Sequence, residues 1–143
     1  MPPALSTAGA HSRHGQIPAA VLGLAKCYNM LVVEDDPIIG ILLVDILINM
    51  GHQVCAVKTT AGEAVAAAFG YCPDMMLVDV RLGSGSGIAA VAEIRRTKRI
   101  PYMYMTGAMI PVGLPDDVVL YKPFVEADLA EAIERVAAAS CAA

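Results

Sequence analysis

Five polar side chains with the chemistry of a metal or phosphoryl site follow short apolar runs of this sequence. They are, in chain order, Glu34, Asp35, Asp79, Thr106 and Lys122. Carboxylates that lie close together repel one another, and one of their pKa values rises unless a cation joins them. A small, hard divalent ion with oxygen ligands and retained waters meets that need, which points to Mg²⁺. Three carboxylates, Mg²⁺ and one lysine sum to about zero charge, so a further anionic group such as a phosphoryl group can bind.

The apolar runs have the length of buried β-strands. The predicted strands are Tyr28 to Val33, Gln53 to Val57, Met75 to Asp79, Tyr102 to Met105 and Val118 to Tyr121. Apolar strands that alternate with helices predict a parallel sheet covered on both faces. Ligand sites in such sheets lie at the carboxyl ends of the strands, so the five polar side chains are expected in one crevice there.

Capping residues mark the predicted helices. Asp36-Pro37 is typical of an N-cap followed by proline at the first helical position, and Gly51 is a typical helix C-terminus. Thr60 and Glu63 form a capping box. The four predicted helices are Pro37 to Met50, Thr60 to near Gly70, Ile88 to about Lys98 and Glu126 to about Ala138.

Length and composition exclude several classes of protein. The chain has 143 residues, the size of one domain, and 57% of them are apolar, which excludes a disordered tail. A net charge of −4 argues against a nucleic-acid partner. The longest apolar run, Pro37 to Met50, contains Asp45 and is too short to insert across a membrane. The four cysteines match neither a zinc site nor a disulfide scaffold, and we interpret them as reduced, mostly buried thiols of a cytoplasmic protein.

The first 26 residues differ in composition from the rest of the chain. Met1 to Gln16 is rich in Pro, Ala, Ser, Gly and His without periodicity, which predicts a flexible extension over residues 1–26. The apolar stretch from Ile17 to Ala25 could add one short helix to it. Residues 27–143 are predicted to form the regular α/β domain.

Four motifs, in this order and on these elements, give the sequence a family resemblance. They are Leu31-Val32-Val33-Glu34-Asp35-Asp36-Pro37, Leu77-Val78-Asp79-Val80-Arg81-Leu82 with Gly87 closing the loop, Met105-Thr106-Gly107, and Tyr121-Lys122-Pro123-Phe124. From about Asn29 to Ala138 the chain resembles the receiver domain of bacterial two-component response regulators. The resemblance implies a flavodoxin-like (CheY-like) fold, a doubly wound five-stranded parallel sheet with strand order 2-1-3-4-5.

The same resemblance implies a phosphoacceptor that depends on Mg²⁺. Asp79 would be the phosphorylated residue. Asp35 and Asp79 would bind Mg²⁺ directly together with the main-chain carbonyl of Arg81, and Glu34 would act through a water molecule. The phosphoryl donor would be a sensor histidine kinase or a histidine phosphotransfer protein.

Two further residues would contact the phosphoryl group itself. Thr106 would hydrogen-bond a phosphoryl oxygen, and Lys122 would pair with the phosphoryl group. The chain is expected to be a stand-alone regulator that signals through protein–protein contacts or acts as a phosphate sink. It is expected not to be an enzyme, apart from self-phosphorylation with a phosphodonor and slow autodephosphorylation.

Two alternatives remain beside this interpretation. A small Mg²⁺-dependent phosphatase with an aspartyl nucleophile typically has an acid two residues after that nucleophile, where this chain has Arg81. A pseudo-receiver that is never phosphorylated could serve as a binding scaffold, and the complete set of five site residues argues against it.

The sequence departs from the family pattern around its last strand. Val119 stands three residues before the lysine, where typical members have a switching Tyr or Phe, and Tyr104 or Tyr121 could replace it. The segment from Gly107 to Asp117 is short and rich in proline, so the fourth helix is expected to be short or missing. In this respect the chain is similar to the atypical receivers nicknamed FAT GUY.

The first predicted helix is apolar around nearly its whole circumference. Between Ile38 and Met50 only Asp45 and Asn49 are polar, although a helix on a sheet needs only an apolar stripe. Its outer side is expected to be covered by the N-terminal segment, by a second copy in a homodimer, or by the helical bundle of a kinase. The candidate interface residues are Ile38, Leu42 and Ile46.

Overall fold

The structure, a computed structural model, describes residues 26–107 and 117–142. Its strands are β1 (Asn29–Val33), β2 (Gln53–Lys58), β3 (Met75–Asp79), β4 (Arg81–Leu82), β5 (Gly85–Ser86), β6 (Tyr102–Thr106) and β7 (Val119–Tyr121). Its helices are α1 (Pro37–Asn49), α2 (Ala61–Tyr71), α3 (Gly87–Arg95) and α4 (Glu126–Ala142). The five strands and four helices predicted from Tyr28 onward are all present, and their ends shift by only a few residues.

Five of the strands form one parallel sheet in the order β2-β1-β3-β6-β7. The short strands β4 and β5 pair with each other in an antiparallel hairpin outside this sheet. Without the hairpin the order is the predicted 2-1-3-4-5, so the flavodoxin-like topology is confirmed. Val78 pairs with Val33 on one side and Tyr104 on the other, which makes β3 the central strand. The chain reverses its direction of winding between β1 and β3, where such sheets bind their ligands.

A hydrophobic core lies on each face of the sheet. On one face α1 and α4 cover side chains such as Met30 and Leu77, and on the other α2 and α3 cover Leu31 and Met76. Successive strand residues point to opposite faces, so neighbours in one strand belong to different cores. Every residue of β3 is buried, as expected of a strand that is covered on both sides.

The predicted capping residues are confirmed for the first two helices. Asp36 accepts hydrogen bonds at the start of α1, and Gly51 follows that helix with a φ of 97°. Thr60 caps the start of α2. The helix ends at Tyr71, near Gly70 as predicted, and the left-handed residue that follows it is Cys72, with a φ of 48°.

The prediction that the cysteines are mostly buried is wrong. Cys27, Cys72 and Cys141 are exposed and Cys55 is half-buried. Cys27 lies just before β1, Cys72 just after α2 and Cys141 in the last turn of α4. Cys55 lies on the edge strand β2. Small apolar residues at such places have too few neighbours to be covered.

Two predictions lie outside the described residues. The flexible extension with its short helix falls almost wholly on residues 1–25, and the short or missing fourth helix falls on residues 108–116. Within the ranges that the structure does describe, none of the helices combines the length and the hydrophobicity needed to span a bilayer.

Candidate functional site

The first acids are held by the turn between β1 and α1. The main-chain N–H of Glu34 donates to the carbonyl of Lys58 at 2.9 Å, and its Oε2 accepts from the N–H of Asp36 at 3.1 Å. Glu34 is only 1% exposed, whereas Asp35 next to it is exposed. Asp36 itself caps α1, which leaves Glu34 and Asp35 as the acids at the sheet edge.

Asp79 is the last residue of the central strand β3 and is buried. The main-chain N–H of Arg81 donates to its Oδ1 at 3.3 Å, and the N–H of Val80 donates to the carbonyl of Met105 at 2.9 Å. Gly87 packs directly against it, since a Cβ at that position would collide with the main-chain carbonyl of Asp79. Neighbouring segments therefore hold the main chain at Asp79, and one main-chain N–H orients its carboxylate.

Lys122 forms hydrogen bonds to two of these acids. Its Nζ donates to Oε1 of Glu34 at 2.8 Å and to Oδ2 of Asp79 at 2.9 Å. The residue follows the edge strand β7, and its main-chain N–H donates to the carbonyl of Thr106 at 2.8 Å. Since β6 lies between β7 and β3, the lysine side chain crosses the end of β6 to reach the centre of the sheet. The Lys122–Pro123 peptide bond is cis.

Burial and charge act in opposite directions on these groups. Burial raises the pKa of Glu34, and the hydrogen bond from Lys122 offsets part of that rise. Burial lowers the pKa of Lys122, but its hydrogen bonds to Glu34 and Asp79 outweigh burial, and the net pKa is raised. Lys122 is therefore an ammonium at neutral pH, and it can balance only one of the neighbouring carboxylates.

Glu34, Asp35 and Asp79 could hold a metal ion together. One carboxylate oxygen of each lies within 4.8 Å of those of the other two. Hard oxygen ligands with an excess of negative charge fit Mg²⁺. The glycine-rich loop adds a detail that sequence reasoning missed, because a Cβ on Gly83 would lie 3.3 Å from Oδ2 of Asp35. The only signal for this approach was the glycine content of the loop.

Thr106 completes the set of predicted site residues at this edge. It is the last residue of β6, is 3% exposed and pairs in register with Tyr121. Neither Tyr104 nor Tyr121, the two candidate replacements for the switching aromatic, occupies the position of Val119. Tyr104 is buried in the core beside Val119, whereas Tyr121 is 57% exposed.

Comparison with known families decides the class of this protein. The response regulator receiver domain family matches residues 30–134, which is more than half of the chain. The chain belongs to this family. Receiver domains are generally signalling domains, not enzymes, and generally bind Mg²⁺ through acidic residues such as those of the cluster at this edge.

Relatives of this receiver include single receivers and parts of longer proteins. It is 34% identical over 79 residues to the phyllosphere-induced regulator PhyR of Methylorubrum extorquens, covering 54% of this chain and 30% of PhyR. It is 27% identical over 117 residues to the chemotaxis protein CheY of Bacillus subtilis, covering 76% of this chain and 96% of CheY. The solution structure of the PhyR receiver domain of Erythrobacter litoralis has a TM-score of 0.66 and 30% identity, covering 77% of this chain and 89% of that domain. The chain spans less than half the length of the first two curated relatives it matches.

The candidate interface residues of the receiver are not all on the outside of α1. Ile38 and Leu42 are exposed, but Ile46 is half-buried and packs against the core. The prediction that Ile46 faces outward is therefore wrong. The reason is helical geometry, because Ile46 is one turn from both Leu43 and Met50, which also contact that core.

Proposed function

We propose that this receiver accepts a phosphoryl group on Asp79 in a Mg²⁺-dependent reaction. The observation that carries the proposal is the position of Lys122, whose ammonium contacts Asp79 at 2.9 Å and Glu34 at 2.8 Å. A cation in contact with the attacking carboxylate can neutralise charge on a transferring phosphoryl group. The proposed donor is a phosphohistidine of a histidine kinase or of a histidine phosphotransfer protein.

The donor set at the sheet edge fits Mg²⁺ by charge and by atom type. Lys122 balances only one of the charges of Glu34, Asp35 and Asp79, whose oxygens lie within 4.8 Å of one another. Asp35 and Asp79 would bind the ion directly together with the main-chain carbonyl of Arg81, and Glu34 would act through a water molecule. When bound, Mg²⁺ would stabilise negative charge on the phosphoryl oxygens.

Asp79 acts as the nucleophile in its ionised form and needs no general base. One of its oxygens forms a bond to phosphorus while the bond from phosphorus to the histidine nitrogen breaks. The electron pair of the broken bond returns to the imidazole, which leaves as neutral histidine because its other nitrogen carries a proton. The Thr106 hydroxyl would hydrogen-bond one phosphoryl oxygen, and the Lys122 ammonium would pair with the phosphoryl group.

The phosphorylated receiver would act through protein–protein contacts or as a phosphate sink. Among its relatives, CheY is named as a chemotaxis protein and the PhyR of Bartonella quintana as an anti-anti-sigma factor. The chain covers 54% of that PhyR structure. An anti-sigma factor is therefore a candidate downstream partner beside the phosphoryl donor.

The N-terminal half of α1 is the proposed docking surface for the donor protein. Ile38 and Leu42 follow Asp35 within two turns of helix and are exposed, so a protein that delivers a phosphoryl group to Asp79 would contact them. The variant Ile38→Gln/Leu42→Gln should slow phosphotransfer from a protein donor and leave phosphorylation by phosphoramidate unchanged. Tyr71→Gln, which alters an exposed apolar residue on α2, is the matched control.

The central test is phosphorylation by a small donor, followed by intact mass. With phosphoramidate and Mg²⁺ the parent chain should gain one phosphoryl group, and Asp79→Asn should gain none. Asp45→Asn, an exposed aspartate on α1, should behave as the parent. Equal phosphorylation in EDTA would contradict the metal assignment, and sustained turnover of a phosphate ester would indicate a phosphatase instead.

A further inference from the structure

One side of α1 carries four large apolar side chains that are exposed. Ile38, Ile41, Leu42 and Ile48, here called the α1 stripe, are 68%, 64%, 55% and 47% exposed. Residues three, four and seven positions apart lie on the same side of a helix, which relates Ile38 to Ile41 and Leu42, and Ile41 to Ile48. An exposed apolar surface of this kind, here interrupted by one acidic residue, is typical of an interaction site. Asp45 also lies on this side and is exposed.

The chain enters the domain beside the C-terminal end of α1. The main-chain N–H of Tyr28 donates to Nδ1 of His52 at 3.1 Å, and the two rings stack with their centroids 5.5 Å apart. His52 follows α1 by three residues, and its N–H donates to the carbonyl of Leu47 at 3.0 Å. Tyr28 also packs against the core that α1 covers. The residues that precede Tyr28 therefore start close to the Ile48 end of the α1 stripe.

The stretch from Ile17 to Ala25 has the composition and the length to cover this surface. It contains no charged residue, and Ile17, Val21 and Leu24 recur at helical spacing. Nine residues span about 13 Å as a helix or about 30 Å when extended, and the α1 stripe spans about 15 Å along the helix axis. Only two residues link this stretch to Tyr28, so its end lies within about 10 Å of Tyr28.

We propose that residues 17–25 of this chain dock on the α1 stripe intramolecularly and bury its apolar side chains. Three observations carry the proposal: the exposure of the stripe, the point at which the chain enters beside α1, and the match between the length of the stretch and that of the stripe. The contact requires neither Mg²⁺ nor a phosphoryl group, so it stands independently of the proposed function.

A second copy of the chain is a weaker candidate for the same surface. A short tether holds a segment at an effective concentration of millimolar order, so a copy at micromolar concentration must bind about a thousandfold more tightly to displace it. Asp45 lies near the middle of the exposed side of α1. A two-fold symmetric α1–α1 contact would bring the two Asp45 side chains close together, which is unfavourable between like charges.

The intramolecular contact would regulate access to the receiver. If the donor protein docks on Ile38 and Leu42, a consequence that rests on the proposed function, it must first displace residues 17–25. Substitutions that release the stretch would then speed phosphotransfer from a protein donor. They would leave phosphorylation by a small donor unchanged, because α1 plays no part in the chemistry at Asp79.

Methyl NMR on the full chain tests the contact directly. With Ile, Leu and Val methyl groups labelled, nuclear Overhauser contacts are expected between Leu24 and Ile48, and between Ile17 or Val21 and Ile38, Ile41 or Leu42. A mixture of labelled and unlabelled chains, recorded with isotope filtering, should show none of these contacts between chains. Contacts between chains, or no contact from any of these three residues to α1, would overturn the proposal.

A matched pair of variants provides a second measurement. Val21→Glu/Leu24→Glu should expose the α1 stripe and increase the fluorescence of the apolar dye 8-anilinonaphthalene-1-sulfonate several-fold. Ser6→Glu/Thr7→Glu adds the same charges outside the stretch and should behave as the parent. Unchanged dye fluorescence in the first variant would overturn the proposal. Phosphorylation by phosphoramidate distinguishes the docking proposal from the proposed function. If neither the parent nor the variants are phosphorylated, the result counts against the proposed function alone.

Discussion

Nζ of Lys122 lies 2.9 Å from Oδ2 of Asp79. Asp79 ends β3 and Lys122 follows β7, and β6 lies between these two strands in the sheet. The same Nζ contacts the almost fully buried Glu34 at 2.8 Å. One ammonium group therefore links an acid at the end of β1 to an acid at the end of β3. In the proposed reaction the lysine would compete with Mg²⁺ for these acids and would also pair with the phosphoryl group.

Removing the lysine should separate these two roles. Lys122→Ala should slow phosphorylation of Asp79 by phosphoramidate, because charge on the transferring group loses a partner. Mg²⁺ affinity should stay the same or increase, since a cation no longer competes for Glu34 and Asp79. Calorimetric Mg²⁺ titration and the rate of mass gain measure the two effects, with Lys98→Ala as the control. Weaker Mg²⁺ binding in Lys122→Ala would contradict the assigned role.

Mg²⁺ binding should depend on pH through Glu34. Burial raises the pKa of Glu34, so this side chain takes up a proton at a higher pH than an ordinary glutamate does. Mg²⁺ affinity should therefore fall as the pH is lowered, beginning above the pH at which ordinary glutamates protonate, about 4.3. Glu34→Gln should bind Mg²⁺ more weakly at pH 8 and show a flatter pH dependence. The exposed-site variant Glu131→Gln should retain the pH profile of the parent.

Two glycine substitutions should change stability in opposite directions. A Cβ on Gly87 would collide with the Asp79 carbonyl and lie 2.6 Å from Cγ1 of Val78, so Gly87→Ala should destabilise the fold by about 1–3 kcal/mol. Gly70 lies inside α2, and a methyl group added there would meet nothing within 4 Å, so Gly70→Ala should stabilise the fold by about 0.5–1 kcal/mol. Urea unfolding measures both values. Equal effects of the two substitutions would show that α3 is not closely packed on Asp79.

The contact between Tyr28 and His52 should make stability sensitive to acid. Nδ1 of His52 accepts a hydrogen bond from the Tyr28 N–H, and burial lowers the pKa of His52. The unfolded chain therefore binds a proton at a higher pH than the folded chain, and the free energy of unfolding should fall as the pH drops below about 6.5. Urea unfolding at pH 7.5 and pH 5.5 should show a smaller loss of stability in His52→Gln than in the parent. The same loss in both chains would assign the effect to other groups.

Local signals were sufficient to predict the order of the elements and the edge at which the site lies. Asp36, Thr60 and Gly51 mark helix ends through bonds or φ values that depend only on their immediate neighbours. Apolar runs such as Met75–Asp79 predict buried strands because a parallel sheet is covered on both faces. Since parallel strands end at one edge, the order of the strands and helices places Glu34 and Asp79 at the same edge, and the strand order implied by the family resemblance makes β1 and β3 neighbours there.

Only the tertiary structure decided which atoms meet and which surfaces remain exposed. The contacts of Lys122 with Glu34 and Asp79 join residues 88 and 43 positions apart, so they depend on how β7 is placed beside β6. The sequence of α1 is apolar around nearly its whole circumference, and only Asp45 and Asn49, four positions apart, mark its outer side. Packing against the sheet half-buries Ile46 and leaves Leu42 exposed, because only one side of a helix can contact a sheet.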